Sequence, residues 1–318
     1  MEAYDPLLAE ADAKEIEKLI AKINVPALAA RASELRNGIP CHIAPLCFDD
    51  LESSRWSVMG GMNYHIELKF NDGICWLARV RRFNATSPPP MVRDYIIKSE
   101  VATLRFLETT KVPAPKVFDF VLEGNDNPVG VGYILMEKMA GKMLLWSTAS
   151  PKECEKVVSQ LSKVYLELQA HPFELMGSLD LPGTLSIGGF ARESLTDINC
   201  SELQLLDHCR SAKDYYAEVV RLNLKLIVYG ESYSDRAVDA YLVHKFLWET
   251  VPIVFASPLD DGPFYLKHAD DKGDHILVDD EFNITGIIDW EWAYTTSKPS
   301  AFISPTFSHP LFNILQGR

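Results

Sequence analysis

The segment His268–Glu291, reading HADDKGDHILVDDEFNITGIIDWE, concentrates the residue types that can do chemistry. His268 and Asp270 close one apolar run, and a short polar loop follows. Two further apolar runs, ILV and ITGII, flank a turn at Asp279–Asn283, and the second delivers Asp289. A carboxylate able to orient a hydroxyl and accept its proton, followed across a hairpin by a carboxylate suited to a hard cation, is the layout of a phosphoryl-transfer site. On that reading Asp270 is the base, His268 braces the loop, and Asp289 is the metal-side group. The bland alternative is an acidic surface loop formed by Asp270, Asp271 and Asp274.

Three upstream features take on meaning in that order. Met59-Gly60-Gly61-Met62-Asn63 forms a bend whose glycines let backbone amides approach a phosphate. By itself it reads equally as a hairpin turn, and no lysine follows at P-loop spacing. Arg79, inside the apolar run LARV, needs a partner or a ligand. Local sequence favours Arg79 and Arg81 sharing one solvated strand face; the later motifs instead favour an Arg79–Glu100 ion pair aimed at phosphates. Met136, Glu137 and Lys138, at the exit of the apolar run YILME, offer backbone groups to an adenine edge, or form an ordinary exit turn.

The elements that must position these residues are legible in outline. Helices are expected from Leu8 to Ile23 and from Pro26 to Arg36, the second ended by Asn37-Gly38. From Trp56, alternation predicts three antiparallel strands with a hairpin at Asn71-Asp72-Gly73. A proline loop at residues 86–90 precedes a helix over Val92–Glu108, with strands at Val117–Leu122 and Val131–Met136. Helices follow at Glu153–Ala170, Lys213–Tyr229 and Val238–Thr250, while residues 183–206 have no clear assignment. The expected class is α+β and two-lobed: an N-terminal helical extension (1–50), a small antiparallel-sheet lobe (51–138) and a mainly helical lobe (139–318).

Composition narrows the partners. The chain has 318 residues and a formal charge of −13, which disfavours nucleic acid and anionic membranes. No apolar run reaches the roughly 20 residues needed to span a bilayer. The acidic N-terminus is unlike a signal or transit peptide. Six cysteines without CxxC or disulfide-rich spacing fit reduced thiols in a cytoplasmic protein. Cys41, His42 and Cys47 lack a second ligand pair for zinc. No G-x-S-x-G supports a hydrolase.

The segments WSVMGGMNYHIELKFNDGICWLARV, SEVATLRFL, KVPAPKVFDF, GYILMEKMAG, ELQAHPFELMGSL, VDAYLVHKFL and HADDKGDHILVDDEFNITGIIDWEWA resemble the aminoglycoside phosphotransferase and choline kinase-like family, in particular its fungal members. The resemblance spans roughly residues 50–305. It implies a protein-kinase-like fold, ATP with Mg²⁺, and a small-molecule hydroxyl as acceptor, with no nucleic acid or membrane partner. By motif, Asp270 is the catalytic aspartate and His268 its neighbour, and Asp289 is the metal aspartate. Arg79 and Glu100 form the phosphate-side pair, Gly60, Gly61 and Asn63 the phosphate bend, and Met136, Glu137 and Lys138 the adenine-facing linker. The family loop reads H-G-D-x-x-x-x-N; here Ala269 replaces the glycine and His275 the asparagine. Imidazole suits Mn²⁺ better than Mg²⁺, so His275 implies slower chemistry, a Mn²⁺ preference, or a nucleotide-binding pseudokinase acting as an interaction protein. Family members commonly carry further C-terminal helices, so an acceptor site left open, or a shortened form, is expected of a chain stopping at Arg318.

Overall fold

A computed structural model describes residues 6–46, 62–83, 87–124, 126–192, 196–197, 204–255, 261–270 and 273–303. They fall into two compact units, residues 1–97 with 115–138, and residues 98–114 with 139–318. The chain therefore leaves the first unit at Lys138, directly after the apolar run YILME.

The first unit is built on helices α1 (Pro6–Lys22) and α2 (Val25–Leu35) and strands β1 (Cys41–Ile43), β2 (Asn63–Phe70), β3 (Cys75–Arg81), β4 (Val117–Val121) and β5 (Tyr133–Glu137). The strands form one antiparallel sheet in the order β1-β2-β3-β5-β4. Strand side chains alternate between faces. Tyr64, Ile66, Leu68, Trp76, Ala78, Val80, Tyr133 and Leu135 thus share one face, and this face packs on Ile16, Leu19, Leu28 and Ala32 of the two helices. Asn24 caps α2 by accepting from the Ala27 amide at 3.2 Å. The helix ends at Asn37 and Gly38, both left-handed (φ 54° and 85°), as the Asn-Gly pair predicts.

Helix α3 (Pro90–Leu107) begins at the last proline of the proline run, a position where the missing amide is no loss. Its residues from Lys98 onward count with the second unit. That unit continues with β6 (Lys142–Met143), α4 (Pro151–Gln169), and the two-residue strands β7 (Ser178–Leu179), β8 (Ile187–Gly188), β9 (Thr196–Asp197) and β10 (Gln204–Leu205). Then come α5 (Ala212–Val228), α6 (Ala237–Val254), β11 (Phe264–Lys267), β12 (Ile276–Val278), β13 (Ile284–Ile287), β14 (Tyr294–Ser297) and the short α7 (Lys298–Ala301). A capping box starts α4: the Ser150 amide donates to Glu153 at 2.7 Å and the Glu153 amide to the Ser150 hydroxyl at 3.4 Å. The core of this unit gathers Met176, Phe190, Leu206, Ala212, Tyr215 and Phe264.

Several outcomes differ from the sequence expectation. Trp56, Gly60 and Gly61 lie outside the described residues, so of the three strands expected from Trp56 those described are β2, from Asn63, and β3. Strand β1 had no sequence signal, being three residues long at a sheet edge. Helix α6 runs on past Pro252 to Val254, because a proline near a C-terminal turn loses only its own hydrogen bond. The unassigned region, 183–206, holds β8, β9 and β10: β9 and β10 pair with each other, and β8 pairs with β7, which lies just before the region. Among the described cysteines Cys41, Cys75, Cys154 and Cys209 are free thiols.

Candidate active site

Strand β11 delivers His268. The strand is fixed by antiparallel pairing with β14, from Phe264↔Ser297 to Lys267↔Tyr294, and by burial of Phe264 and Leu266. Just beyond it, the imidazole Nε2 of His268 donates to the Ile288 carbonyl at 2.9 Å; a carbonyl only accepts, so the proton sits on Nε2. The same ring stacks on His275 at 4.1 Å between centroids and 20° between planes, and meets Trp290 edge-on at 4.8 Å. Trp290, 2% exposed, donates its indole N–H to the Ile287 carbonyl at 2.8 Å.

The hairpin β12–β13 supplies the other side. Ile276 pairs with Ile287, and beyond the strand ends the Ile288 amide donates to the His275 carbonyl at 2.9 Å. Ile288 is thereby held at both its amide and its carbonyl, by His275 and by His268. Asp289 is the next residue, exposed, with its backbone in the left-handed region at φ 64°. Asp270 is half-buried and lies two residues from His268, a reach of about 7 Å of chain. The loop carrying Asp270 and the strand end carrying Asp289 are thus tied by one histidine pair and one isoleucine. Asp274 is exposed, with its carboxylate 4.0 Å from the Nδ1 of His275, whose side chain is 7% exposed. Asp271 lies outside the described residues.

Residues that sequence reasoning passed over hold the hairpin. The Asp279 carboxylate accepts from the Glu281 and Asn283 amides and from the Asn283 side chain at 2.8–2.9 Å. The Asn283 side chain and backbone hold it below the usual aspartate range. Gln160 of α4 grips the turn twice, donating to the Phe282 carbonyl at 2.9 Å and accepting from the Ile284 amide at 3.0 Å. Gly141 (φ 110°) lies where a Cβ would collide with the Thr285 hydroxyl and the Val278 carbonyl, so only glycine fits. The Asp-x-x-x-Asn spacing was the one signal for the turn; Gln160, more than 120 residues away, gave none.

In the first unit, Asn63, Arg79 and Met136 lie on the sheet face opposite the α1–α2 core. Arg79 stands across from His65 and Ile134, Asn63 across from Arg81, and Met136 across from Leu77. The two arginines do share a face, but Arg79 is 7% exposed and so is no solvated surface cation. Glu100, which belongs to the second unit, is buried on α3. Met136 is buried at the end of β5, and the Glu137 amide donates to the Lys116 carbonyl at 2.8 Å. Lys138 pairs with Glu67 of β2 at 3.0 Å. Burial pushes the Glu67 carboxyl up, and the Lys138 ammonium, with Lys69 and Cys75, more than offsets it, leaving the group below its ordinary range. Arg82, three residues after Arg79, is committed elsewhere: it binds Asp12 at 2.7 Å and Glu15 at 2.9 Å, both on α1.

A five-stranded antiparallel sheet, an exit from β5 into a mainly helical half, and a His-x-Asp loop braced on a hairpin that ends in aspartate define a protein-kinase-like fold. Solved structures agree at the level of fold. The chain is similar to a protein from Thermobifida fusca described as a fructosamine-3-kinase (17% identity, TM-score 0.55, covering 92% of this chain and 83% of that one). It is also similar to one from Ralstonia eutropha described as an aminoglycoside phosphotransferase (18%, 0.53, covering 88% and 68%). Residues 79–296 match the phosphotransferase enzyme family APH, and the chain belongs to that family. Among curated relatives, a subtelomeric hrmA-associated cluster protein of Aspergillus fumigatus is 32% identical over 125 residues, which are 38% of this chain and 23% of that protein. The clavilactone A biosynthesis cluster protein Y of Ampulloclitocybe clavipes is 26% identical over 248 residues, 73% and 58% of the two lengths. The chain therefore spans about a quarter of the first relative and just over half of the second. Among the described residues no helix is long and apolar enough to cross a membrane.

Proposed function

We propose that this chain transfers the γ-phosphate of ATP to a hydroxyl of a small molecule. The observation that carries the reading is the shared anchorage of the two loops: His268 and His275 both bind Ile288, the residue before Asp289. Asp270 orients the acceptor hydroxyl and takes its proton as the new oxygen–phosphorus bond forms and the bond to ADP breaks. Arg79 holds phosphate oxygens. Gly60, Gly61 and Asn63 cover them, and the backbone of Met136, Glu137 and Lys138 meets the adenine. Rate enhancement comes from positioning and charge stabilisation.

The donor set fits Mg²⁺. Among the described residues no three-ligand cage of His, Cys, Asp or Glu exists. Mg²⁺ needs none, since it keeps waters and rides on phosphates with one or two carboxylates. Asp289, exposed at a fixed backbone position, would hold it, with His275 as a second ligand if Mn²⁺ takes its place. When bound, the ion neutralises charge on the transferring phosphoryl group.

One observation favours a second reading, a nucleotide-binding protein with weak or no turnover. The His275 ring is buried against His268, a bracing position where the family loop places a metal-side asparagine. Thermal unfolding with ATP and either Mg²⁺ or Mn²⁺, followed by turnover against a panel of hydroxyl acceptors, separates the two. Asp270→Asn is expected to keep nucleotide stabilisation and to lower turnover by about 10²–10³-fold. Stabilisation without turnover, unchanged by Asp270→Asn, selects the second reading. No stabilisation by any nucleotide and metal removes both.

A further inference from the structure

Helix α6 carries a sequence that is apolar nearly all round, AVDAYLVHKFLWETVPIV, which ordinarily marks a buried helix. Here it packs against α5, and Val251 is its one buried residue. The opposite face presents Val238, Tyr241, Leu242, Phe246 and Ile253 to solvent at helical spacing, Phe246 at 65% and Ile253 at 76% exposure. Two charges lie within this stripe, Lys245 and Glu249, both exposed and neither in an ion pair or hydrogen bond among the described residues; a third, Asp239, is exposed at its edge.

We propose that this face of α6 binds the same face of a second copy of the chain, antiparallel, about a two-fold axis level with residue 247. The charge pattern selects that occupant. The pairing sets Lys245 of each copy opposite Glu249 of the other, since residues four apart share a helix face. A two-fold interface must be self-complementary, and a lone lysine and a lone glutamate placed symmetrically in an apolar stripe meet that requirement. The contact runs about 21 Å along the helix. An anionic lipid surface is disfavoured, because the stripe is charge-balanced and the chain carries −13. The inference is independent of the phosphotransfer reading, since α6 holds none of the residues assigned to it.

Sedimentation of the whole chain is expected to show a dimer. Lys245→Glu and Glu249→Lys each place two like-charged pairs in the interface and are expected to weaken dimerisation roughly tenfold. Both sites are exposed, so thermal melting of dilute protein should match the parent and certify folding. Mixing the two variants pairs every glutamate with a lysine and should restore a dimer containing one of each. The double variant K245E/E249K should self-associate like the parent. A parent chain that stays monomeric at its highest soluble concentration overturns the proposal. So does a dimer indifferent to both single changes, or a mixture that fails to associate.

Discussion

In the stretch from Phe264 to Ser297 the apolar side chains turn inward: Phe264, Leu266, Ile276, Val278, Ile287 and Trp290 are all buried. Its turn is closed by its own residues, Asp279 with Asn283, and clasped by Gln160. In α6, residues of the same apolar types face outward, and His244 spends its ring nitrogen on its own helix, bonding the Ala240 carbonyl at 2.8 Å. The first region is complete within the chain. The second has a composition that its surroundings do not use. A region whose hydrophobic pattern agrees with its packing explains its own stability, whereas a mismatch points to something outside the fold.

The comparison can be broken by substitutions read through urea unfolding of dilute protein. Trp290→Ala removes a fully buried ring that backs His268 and is expected to cost about 3–5 kcal/mol. Gln160→Ala strips two hydrogen bonds from the hairpin turn and should cost roughly 1–2 kcal/mol. Phe246→Ala should fall within about 0.5 kcal/mol; a loss approaching that of Trp290→Ala would mean that α6 is covered within one chain, and the contrast would vanish. Acid gives the smallest effect. The Asp279 carboxyl is held below its ordinary 3.8, so its stabilising influence is complete above that pH and is lost as pH falls through the lower folded value. Hydrogen exchange of the Glu281 and Asn283 amides should accelerate there, and Asp279→Asn should flatten the response.

The sequence made legible what is local. The 3.6-residue periodicity located α1, α2, α4 and α5, and the Asn-Asp-Gly and Asp279–Asn283 turns located both hairpins. Motif order put His268 and His275 on one strand end and the hairpin beside it, and the structure stacks the two rings. What could not be read depends on distant partners. The stack of His268 on His275 needs the hairpin folded back on β11. The ion pairs of Arg82 join a strand end to a helix about 70 residues earlier, and nothing in RVRR distinguishes that arginine from Arg79. The two-residue strands β7 to β10 exist only as pairings with one another. Sequence reading located a helix at α6 but not its outward stripe, because periodicity reports that a face is apolar and not what covers it.

Asp289 sits with φ at 64°, a conformation that costs a non-glycine residue roughly 1–2 kcal/mol and a glycine almost nothing. Drift under selection for durability alone would carry this position toward glycine. An acidic side chain on an unfavourable backbone is a small sacrifice of robustness, which the metal-side role proposed for Asp289 would account for.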